Sequence, residues 1–265
     1  MNTIKFKLLD LSNKDERSYY SKKLVEYEDI FNYPLGDKQF FIKHGYSENY
    51  DYFDFFQQLG EVYYIVAEDN DSIVAAGCAV LRTIKNKKIW YLCDFKLAKE
   101  YRGKGILEKM FRKYFLKFYF KSNKMFFVNM SPANGNGLIK KAMNIFKLFN
   151  IKITDLYFFE WDLNTISNSQ LNFDNFVIIT NNNKKDIVID NKPYNIYHIV
   201  HKDSYIDFSK FQKTDLSFVN EGDTIMYCSP KNLTVENLLK NNKPTTIGSF
   251  VSHKFMTDIY SSAEI

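Results

Sequence analysis

The chain has 265 residues, of which 36 are basic and 31 acidic, for a formal net charge of +5. This length is long for one typical domain and short for two full ones, and it suffices to bury a sizeable core. The basic residues form no long block, which argues against a nucleic-acid-binding protein.

The cysteines and the apolar runs indicate the cellular compartment of the protein. Cys78, Cys93 and Cys228 lie far apart without metal-site spacing, and their odd number favours a reduced, intracellular setting. The first residues lack the apolar core of a signal peptide, and the longest apolar run, Ile73 to Leu81, is too short to cross a bilayer. We therefore expect a cytoplasmic protein without a metal, a membrane partner or a nucleic-acid partner.

The first hundred residues predict a strand, two helices and three antiparallel strands. Apolar residues at helical spacing alternate with strand-like runs, and turn residues separate them. The break between the helices is Tyr33–Gly36. The predicted elements are a strand at Ile4–Leu9, helices at Asp15–Phe31 and Tyr50–Leu59, and strands at Val62–Glu68, Ile73–Ile84 and Ile89–Leu97.

A glycine-containing loop follows the last of these strands. Arg102–Gly103–Lys104–Gly105 directly precedes a helical pattern, in which apolar residues recur on one face from Ile106 to Tyr119. Free N–H groups and the positive dipole end at a helix start bind phosphate oxygens, and glycines let a bulky anion approach. The spacing fits neither the dinucleotide fingerprint nor a Walker loop.

The rest of the chain predicts further alternation of strands and helices. A strand at Met125–Ser131 precedes a helix at Leu138–Phe149 and one or two strands within Ile151–Leu163. Beyond residue 163 the pattern predicts a small α+β unit. Its predicted elements are strands at Phe176–Thr180, Ile187–Ile189, Tyr194–Val200, Thr224–Cys228 and Thr246–His253, and a helix at Val235–Lys240.

The loop and the element order together resemble the GNAT N-acetyltransferase superfamily. The signature of that family is Arg/Gln-x-x-Gly-x-Gly/Ala, which Arg102 and Gly105 match, with Leu107 at the sixth position. The resemblance implies an α/β fold with a mixed α+β sheet, the GNAT-like acyl-CoA N-acyltransferase fold, over residues 1–163. A second, smaller α+β domain, 164–265, would follow, either as a separate unit or as a reduced copy of the same fold.

This resemblance implies acetyl-CoA-dependent acetylation of an amine, on a small molecule or a protein. The amine would attack the thioester directly. The amides of Arg102, Gly103, Lys104, Gly105, Ile106 and Leu107 would hold the CoA pyrophosphate, Phe95, Lys96 and Leu97 would contact the pantetheine and the oxyanion, and Asn134 would orient the cofactor arm.

The resemblance also sets expectations for proton transfer. Cys93 stands where the family carries an acidic residue, and Asp94 beside it is the candidate base; the alternative is a structural strand carboxylate satisfied by a neighbouring Lys, Arg or backbone N–H. Adjacent strand residues face opposite sides, so we expect Cys93 and Asp94 on opposite faces. The tyrosine that reprotonates the thiolate in the family has no counterpart, because Lys141 or Met143 stands at its position.

The acceptor site and the class of protein remain open at this point. Acidic residues of the first two helices, including Glu28, Asp51 and Asp54, suit a cationic amine, but a solvated helix face is the preferred interpretation, as is a surface position for His44. One alternative is a non-catalytic acyl-CoA-binding or regulatory module. Another is a tandem-fold aminoacyl transferase, which the modest charge hardly supports.

Overall fold

In the computed structural model, contacts divide the chain into two compact units, Met1–Phe31 with Lys43–Phe127 and Asn32–Ile42 with Val128–Ile265. Among the described residues, no helix combines the length and the apolar character that a bilayer crossing requires. The structure describes residues 4–35, 38–45, 49–84, 86–131, 151–168, 176–180, 185–189, 192–194, 196–201, 212–214, 216–219, 221, 223–230 and 244–253.

The described residues form strands, four α-helices and two short 3-10 turns, at Lys99–Tyr101 and Leu216–Phe218. In chain order the elements are β1 (Lys5–Leu8), α1 (Lys14–Glu28), β2 (Tyr33–Leu35), β3 (Lys38–His44), α2 (Asp54–Leu59), β4 (Glu61–Asp69), β5 (Ser72–Ile84), β6 (Lys87–Leu97), α3 (Ile106–Tyr119), β7 (Met125–Ser131), β8 (Ile151–Trp161), α4 (Leu163–Ser167), β9 (Phe176–Thr180), β10 (Lys185–Ile189), β11 (Lys192–Tyr194), β12 (Ile196–His201), β13 (Gln212–Thr214), β14 (Thr224–Pro230) and β15 (Thr246–His253).

The sheet of the first unit has the strand order β1-β4-β5-β6-β7. Its neighbours run antiparallel, except that β6 and β7 pair in parallel at Trp90–Met125 and Tyr91–Phe126. A parallel pair needs a crossover connection, and α3 forms part of it. β5 is central and buried from Ile73 to Arg82, which explains its unbroken apolar sequence.

Helices cover both faces of this sheet, as the adjacent Tyr63 and Tyr64 show. Their side chains point to opposite faces because strand residues alternate. The ring of Tyr63 lies 5.6 Å from that of Phe118 in α3, whereas the ring of Tyr64 lies 5.3 Å from that of Phe53 at the start of α2. The sheet therefore separates a face covered by α3 from a face covered by α2.

The second unit contains a sheet with the strand order β15-β8-β14-β12-β9-β13. β12 and β14 pair in parallel, and the other neighbours are antiparallel. Its core packs the fully buried Phe159 and Ile225 against Ile166 of α4. A separate sheet has the strand order β11-β10-β3-β2. The boundary between the two units falls within β3, after Ile42.

The predicted mixed α/β fold is confirmed, with corrections in short elements. Tyr33–Gly36, predicted as a break, contains β2, because proline is tolerated in a short hairpin strand. The predicted strand at Tyr194–Val200 is divided between β11 and β12, and β3, which lies between the two predicted helices, was not predicted, nor were α4 and β13. The predicted helices at Leu138–Phe149 and Val235–Lys240 lie outside the described residues.

The position of β8 shows why the sequence does not define the units. Element order assigns β8 to segment 1–163, whereas β8 pairs with β15 and β14 in the second compact unit. Such pairing joins residues that lie between 64 (Ile225 and Trp161) and 102 (His253 and Ile151) positions apart in the sequence, which no local pattern records. The division into domains 1–163 and 164–265 stays a prediction.

Candidate active site

The loop between β6 and α3 depends on two glycines. Gly103 and Gly105 have φ angles of +78° and +68°, a region that residues with a Cβ rarely adopt. Gly105 is the N-cap residue of α3, and its carbonyl accepts the first intrahelical hydrogen bond, from Lys109 at 3.0 Å. The N–H groups of Ile106–Glu108 therefore have no acceptor within the helix, and this helix start suits an anion.

The side chains of this loop divide between solvent and core. Arg102 and Lys104 are exposed, whereas Ile106 is buried. Leu107 packs against the apolar cluster that Ile106 forms with β4 and β5. The large side chain of Leu107 thus contacts the core, while its backbone belongs to the first turn of α3.

A bulge lies three residues before the end of β6. Two residues, Asp94 and Phe95, stand there opposite the single residue Gly77 of β5, and Asp94 has a left-handed φ of +55°. A Cβ on Gly77 would lie 2.7 Å from the ring of Phe95, so glycine makes room for this ring on the face covered by α3. The pairs that flank the bulge are Cys78–Cys93 and Ala76–Lys96.

The bulge turns Asp94 to the same face as Cys93. Cys78 pairs with both Tyr64 and Cys93 across its neighbouring strands, and cross-strand partners share a face. The carboxylate of Asp94 accepts a hydrogen bond from the hydroxyl of Tyr64, which places it on that face too. The prediction that Cys93 and Asp94 face opposite sides is wrong, because it assumed regular alternation.

Three donors surround the carboxylate of Asp94. Its Oδ2 accepts from the hydroxyls of Tyr52, at 2.8 Å, and Tyr64, and its Oδ1 contacts the ammonium group of Lys96. Tyr52 and Tyr64 are completely buried. Asp94 is thus a carboxylate on the α2 face, held in one orientation by groups from three parts of the unit.

The ammonium group of Lys96 is the centre of the cluster. Lys96 is only 2% exposed, and its Nζ lies 2.8 Å from Oε1 of Glu28 and 2.9 Å from the hydroxyl of Tyr52. Glu28, at the end of α1, also accepts hydrogen bonds from Nδ1 of His44 at 2.7 Å and from the backbone N–H of His44 at 2.8 Å. Glu28, His44, Tyr52, Tyr64, Asp94 and Lys96 are called the buried ionic cluster below.

Burial and the neighbouring charges have opposite effects on the pKa of Glu28. Burial raises the pKa of its carboxyl group, but the charges of and hydrogen bonds from His44 and Lys96 outweigh this effect and lower the pKa from an ordinary 4.5 to about 2. Burial, followed by the charge of Asp94, raises the pKa of Tyr52 and Tyr64 well above 10. At neutral pH, Glu28 is therefore ionised and both tyrosines are hydrogen-bond donors.

The cluster has the donor atoms of a metal site but already contains a cation. One ligand atom from each of Glu28, His44 and Asp94 lies within 4.8 Å of the others. The ammonium group of Lys96, however, contacts both carboxylates. The positive charge that this arrangement requires is therefore supplied by the protein itself.

Two expectations about exposure are wrong. Glu28 is 1% and His44 4% exposed, although both were expected at the surface. Asp51 and Asp54, considered for an acceptor site, are both paired with Arg17. The spacing of Glu28 four residues after Leu24 places it on the buried face of α1, but its charge favoured a surface position, and its partners lie elsewhere in the sequence.

The remaining predicted site residues are not members of the cluster, or they lie outside the described residues. Phe95 is 44% exposed and Leu97 is half-buried, next to the cluster on β6. Asn134, and Lys141 and Met143 at the position of the expected tyrosine, lie outside the described residues. Tyr52 and Tyr64, which orient Asp94, were not predicted as site residues.

Comparison with known proteins finds a family match in the N-terminal half of the chain. Residues 27–131 match the model of the acetyltransferase (GNAT) family. The chain is 24% identical over 212 residues to "Uncharacterized protein L340" of Acanthamoeba polyphaga mimivirus, covering 72% of this chain and 60% of that relative. The chain thus spans less than two thirds of that relative's length.

Two solved structures have folds that are similar to that of this chain. A tandem GNAT protein from the clavulanic acid biosynthesis pathway matches 97% of this chain and 100% of its own, with a TM-score of 0.52 and 9% identity. An IAA acetyltransferase from Bacillus cereus ATCC 14579 matches 59% of this chain and 81% of its own, with a TM-score of 0.35 and 15% identity. The whole-chain match extends the fold likeness beyond residues 27–131.

Removal of the central cation should destabilise the first unit. We expect Lys96→Met to lower the free energy of unfolding by about 3–5 kcal/mol, because two buried carboxylates lose their shared partner. Glu28→Gln in the same chain should recover part of this loss, since it removes one of the two charges. The double variant should therefore be more stable than the sum of the single effects predicts.

Denaturant unfolding followed by tryptophan fluorescence measures this coupling. Trp90 reports on the first unit when Trp161, in the second, is replaced by phenylalanine in every variant. The exposed Lys22→Met is the matched control and should change stability by less than about 0.5 kcal/mol. Additive effects of Lys96→Met and Glu28→Gln would show that the two charges are not coupled.

The acid sensitivity of the first unit should depend on Glu28. A carboxyl group whose pKa is lower in the folded chain stabilises it above the ordinary pKa, and this contribution disappears as the pH falls through the folded pKa. The stability difference between the wild type and Glu28→Gln should therefore shrink between about pH 4.5 and pH 2. A difference that stays constant over this range would contradict the assigned ion pairs, because carboxyl groups such as Asp10 titrate in both proteins.

Proposed function

Because residues 27–131 match the model of the acetyltransferase (GNAT) family, we propose that this chain is an acetyl-CoA-dependent N-acetyltransferase. The observation that carries the proposal is the anion-binding start of α3, which follows directly after the bulged end of β6. Both features lie within the matched residues. A phosphate-bearing substrate at the helix start would extend along β6 towards Asp94.

The loop supplies both kinds of phosphate contact. The unpaired N–H groups of Ile106–Glu108 donate to the pyrophosphate, and Gly103 and Gly105 allow it to approach the backbone. The exposed cations of Arg102 and Lys104 lie at the same end of α3 and attract the negative charge of CoA. In this proposal Asn134 orients the pantetheine arm.

The reaction is a direct attack of the acceptor amine on the acetyl thioester. Asp94 takes a proton from the ammonium form, directly or through water, and the free amine adds to the carbonyl carbon. A backbone N–H within Phe95–Leu97, beside the bulge, stabilises the oxyanion. The carbon–sulfur bond then breaks, the attacking nitrogen loses its second proton through water, and the CoA thiolate takes up that proton and leaves as the thiol.

The acceptor is an amine of a small molecule or of a protein. We place the reaction in the cytoplasm, without a nucleic-acid or membrane partner. The whole-chain fold likeness to a tandem GNAT protein supports a second GNAT-like copy in the C-terminal part of the chain.

One observation favours a second candidate, a non-catalytic acyl-CoA-binding module. Asp94 already accepts from two tyrosines and contacts Lys96. A carboxylate that accepts a proton from a substrate must first exchange one of these partners, which costs about 1–3 kcal/mol if a buried donor is left unpaired. Binding of acetyl-CoA without turnover would fit this alternative.

A negative charge at the helix start should prevent binding of acetyl-CoA. We expect Gly105→Glu to bind acetyl-CoA at least about tenfold more weakly than Gly105→Gln, a difference of about 1.4 kcal/mol. The two side chains have the same size and meet the same left-handed backbone, so only the charge against the pyrophosphate differs. Calorimetric titration with acetyl-CoA measures both affinities.

The control adds the same charge elsewhere on α3. Leu116→Glu lies on an exposed part of the helix, eleven residues from Gly105, and should bind like the wild type. Equal affinities of Gly105→Glu and Gly105→Gln would contradict the assignment of this loop as the pyrophosphate site.

Replacement of the proposed base should separate catalysis from binding. Asp94→Asn should lower the rate of acetyl transfer by about 10²–10⁴-fold and leave the affinity for acetyl-CoA within about twofold, because the pyrophosphate lies at the loop. Release of CoA thiol across a panel of amines measures the rate, and Asp71→Asn, in an exposed turn, is the matched control.

The wild type decides between the two candidate functions in the same assay. Binding of acetyl-CoA without thiol release on any amine would support the non-catalytic module. An Asp94→Asn variant that turns over as fast as the wild type would show that Asp94 is not the base.

A further inference from the structure

Two of the three cysteines, far apart in the sequence, are direct neighbours in the first unit. Cys78 of β5 and Cys93 of β6 are register partners in the antiparallel pair, and their thiols are hydrogen-bonded to each other. Both are free thiols in this structure. Cys228 lies on β14 of the second unit.

The backbone geometry of this pair suits a disulfide. Residues directly opposite each other in an antiparallel pair have Cα atoms about 4.5–5.5 Å apart. Disulfide-bonded cysteines have Cα atoms about 4.4–6.8 Å apart. Because register partners share a face, the two thiols point to the same side of the sheet.

The two thiols differ in exposure, and this sets the order of reaction. Cys93 is half-buried, whereas Cys78 is buried. Burial, followed by the hydrogen bond that the Cys78 thiol donates to Cys93, raises the pKa of the Cys78 thiol well above its ordinary value. Cys93 is therefore the thiol that a small oxidant reaches first, and Cys78 reacts second, from inside the sheet.

We propose that Cys78 and Cys93 are a redox modification site, which a low-molecular-weight disulfide such as oxidised glutathione converts into a cross-strand disulfide. The thiolate of Cys93 attacks one sulfur of the small disulfide, forms a mixed disulfide and releases the first small thiol. The thiolate of Cys78, after losing its proton to solvent, attacks the sulfur of Cys93 and releases the second. Two protein thiols are oxidised, and one small disulfide is reduced to two thiols.

The new bond would lie at the bulge that orients Asp94. Cys93 directly precedes Asp94, and Cys78 directly follows Gly77. A covalent bond there fixes β5 to β6 on one side of the bulge. Because the bond depends on the register of these strands alone, it does not require the proposed acetyl transfer.

Mass spectrometry of the folded protein tests the proposal. After incubation with oxidised glutathione under native conditions, we expect the Cys228→Ser variant to lose the mass of two hydrogen atoms and to regain it with a reducing agent. Trypsin cleaves after Lys43, Arg82, Lys88 and Lys96, so the two cysteines lie on peptides 44–82 and 89–96. These two peptides should be found joined after oxidation of both the wild type and Cys228→Ser.

Single variants test the order of the steps. Cys78→Ser should keep one glutathione on Cys93, because the second thiol is missing, whereas Cys93→Ser should stay unmodified at Cys78. The oxidised wild type should also unfold at a higher temperature than the reduced form. A stable glutathione adduct on wild-type Cys93, an unchanged mass, or a bond to Cys228 would each overturn the proposal.

Discussion

The ammonium group of Lys96 makes it possible for the first unit to bury two carboxylates close together. An ionised carboxylate in the interior costs several kcal/mol unless it is paired and hydrogen-bonded. Lys96 contacts both Glu28 and Asp94, and Tyr52 contributes its hydroxyl. Because Glu28 belongs to α1 and Lys96 to β6, this ammonium group also joins the helical layer to the sheet.

The bulge in β6 determines which side chains reach this cluster. Without the extra residue, regular alternation would turn Asp94 away from the face that Cys93 occupies. The bulge places Asp94 on the α2 face and Phe95 over Gly77 on the α3 face. One irregularity in the strand thus positions the candidate base, opens space for Phe95 and leaves the Cys78–Cys93 pair intact beside it.

Much of the first unit could be predicted from the sequence, because its helices and strands have strong periodicity. The strand β6, the left-handed glycines and the helix start at Ile106 follow from local residue types. The buried ionic cluster does not, since Glu28, His44 and Lys96 lie on separate elements, and no local pattern shows that these three side chains meet. The register shift opposite Gly77 leaves no local pattern either, so the direction of Asp94 could not be derived.

The buried ionic cluster also bears on the proposed role of Asp94 as a base. The carboxylates of Glu28 and Asp94 flank the ammonium group of Lys96, and in the proposed reaction the negative charge of Asp94 attracts a cationic amine to the α2 face. When Asp94 takes a proton in that reaction, Lys96 remains paired with Glu28 at 2.8 Å. Glu28 therefore keeps Lys96 satisfied in both states. Proton transfer then costs the exchange of a tyrosine hydrogen bond but leaves no unpaired buried charge, which reconciles a fully hydrogen-bonded Asp94 with a catalytic role.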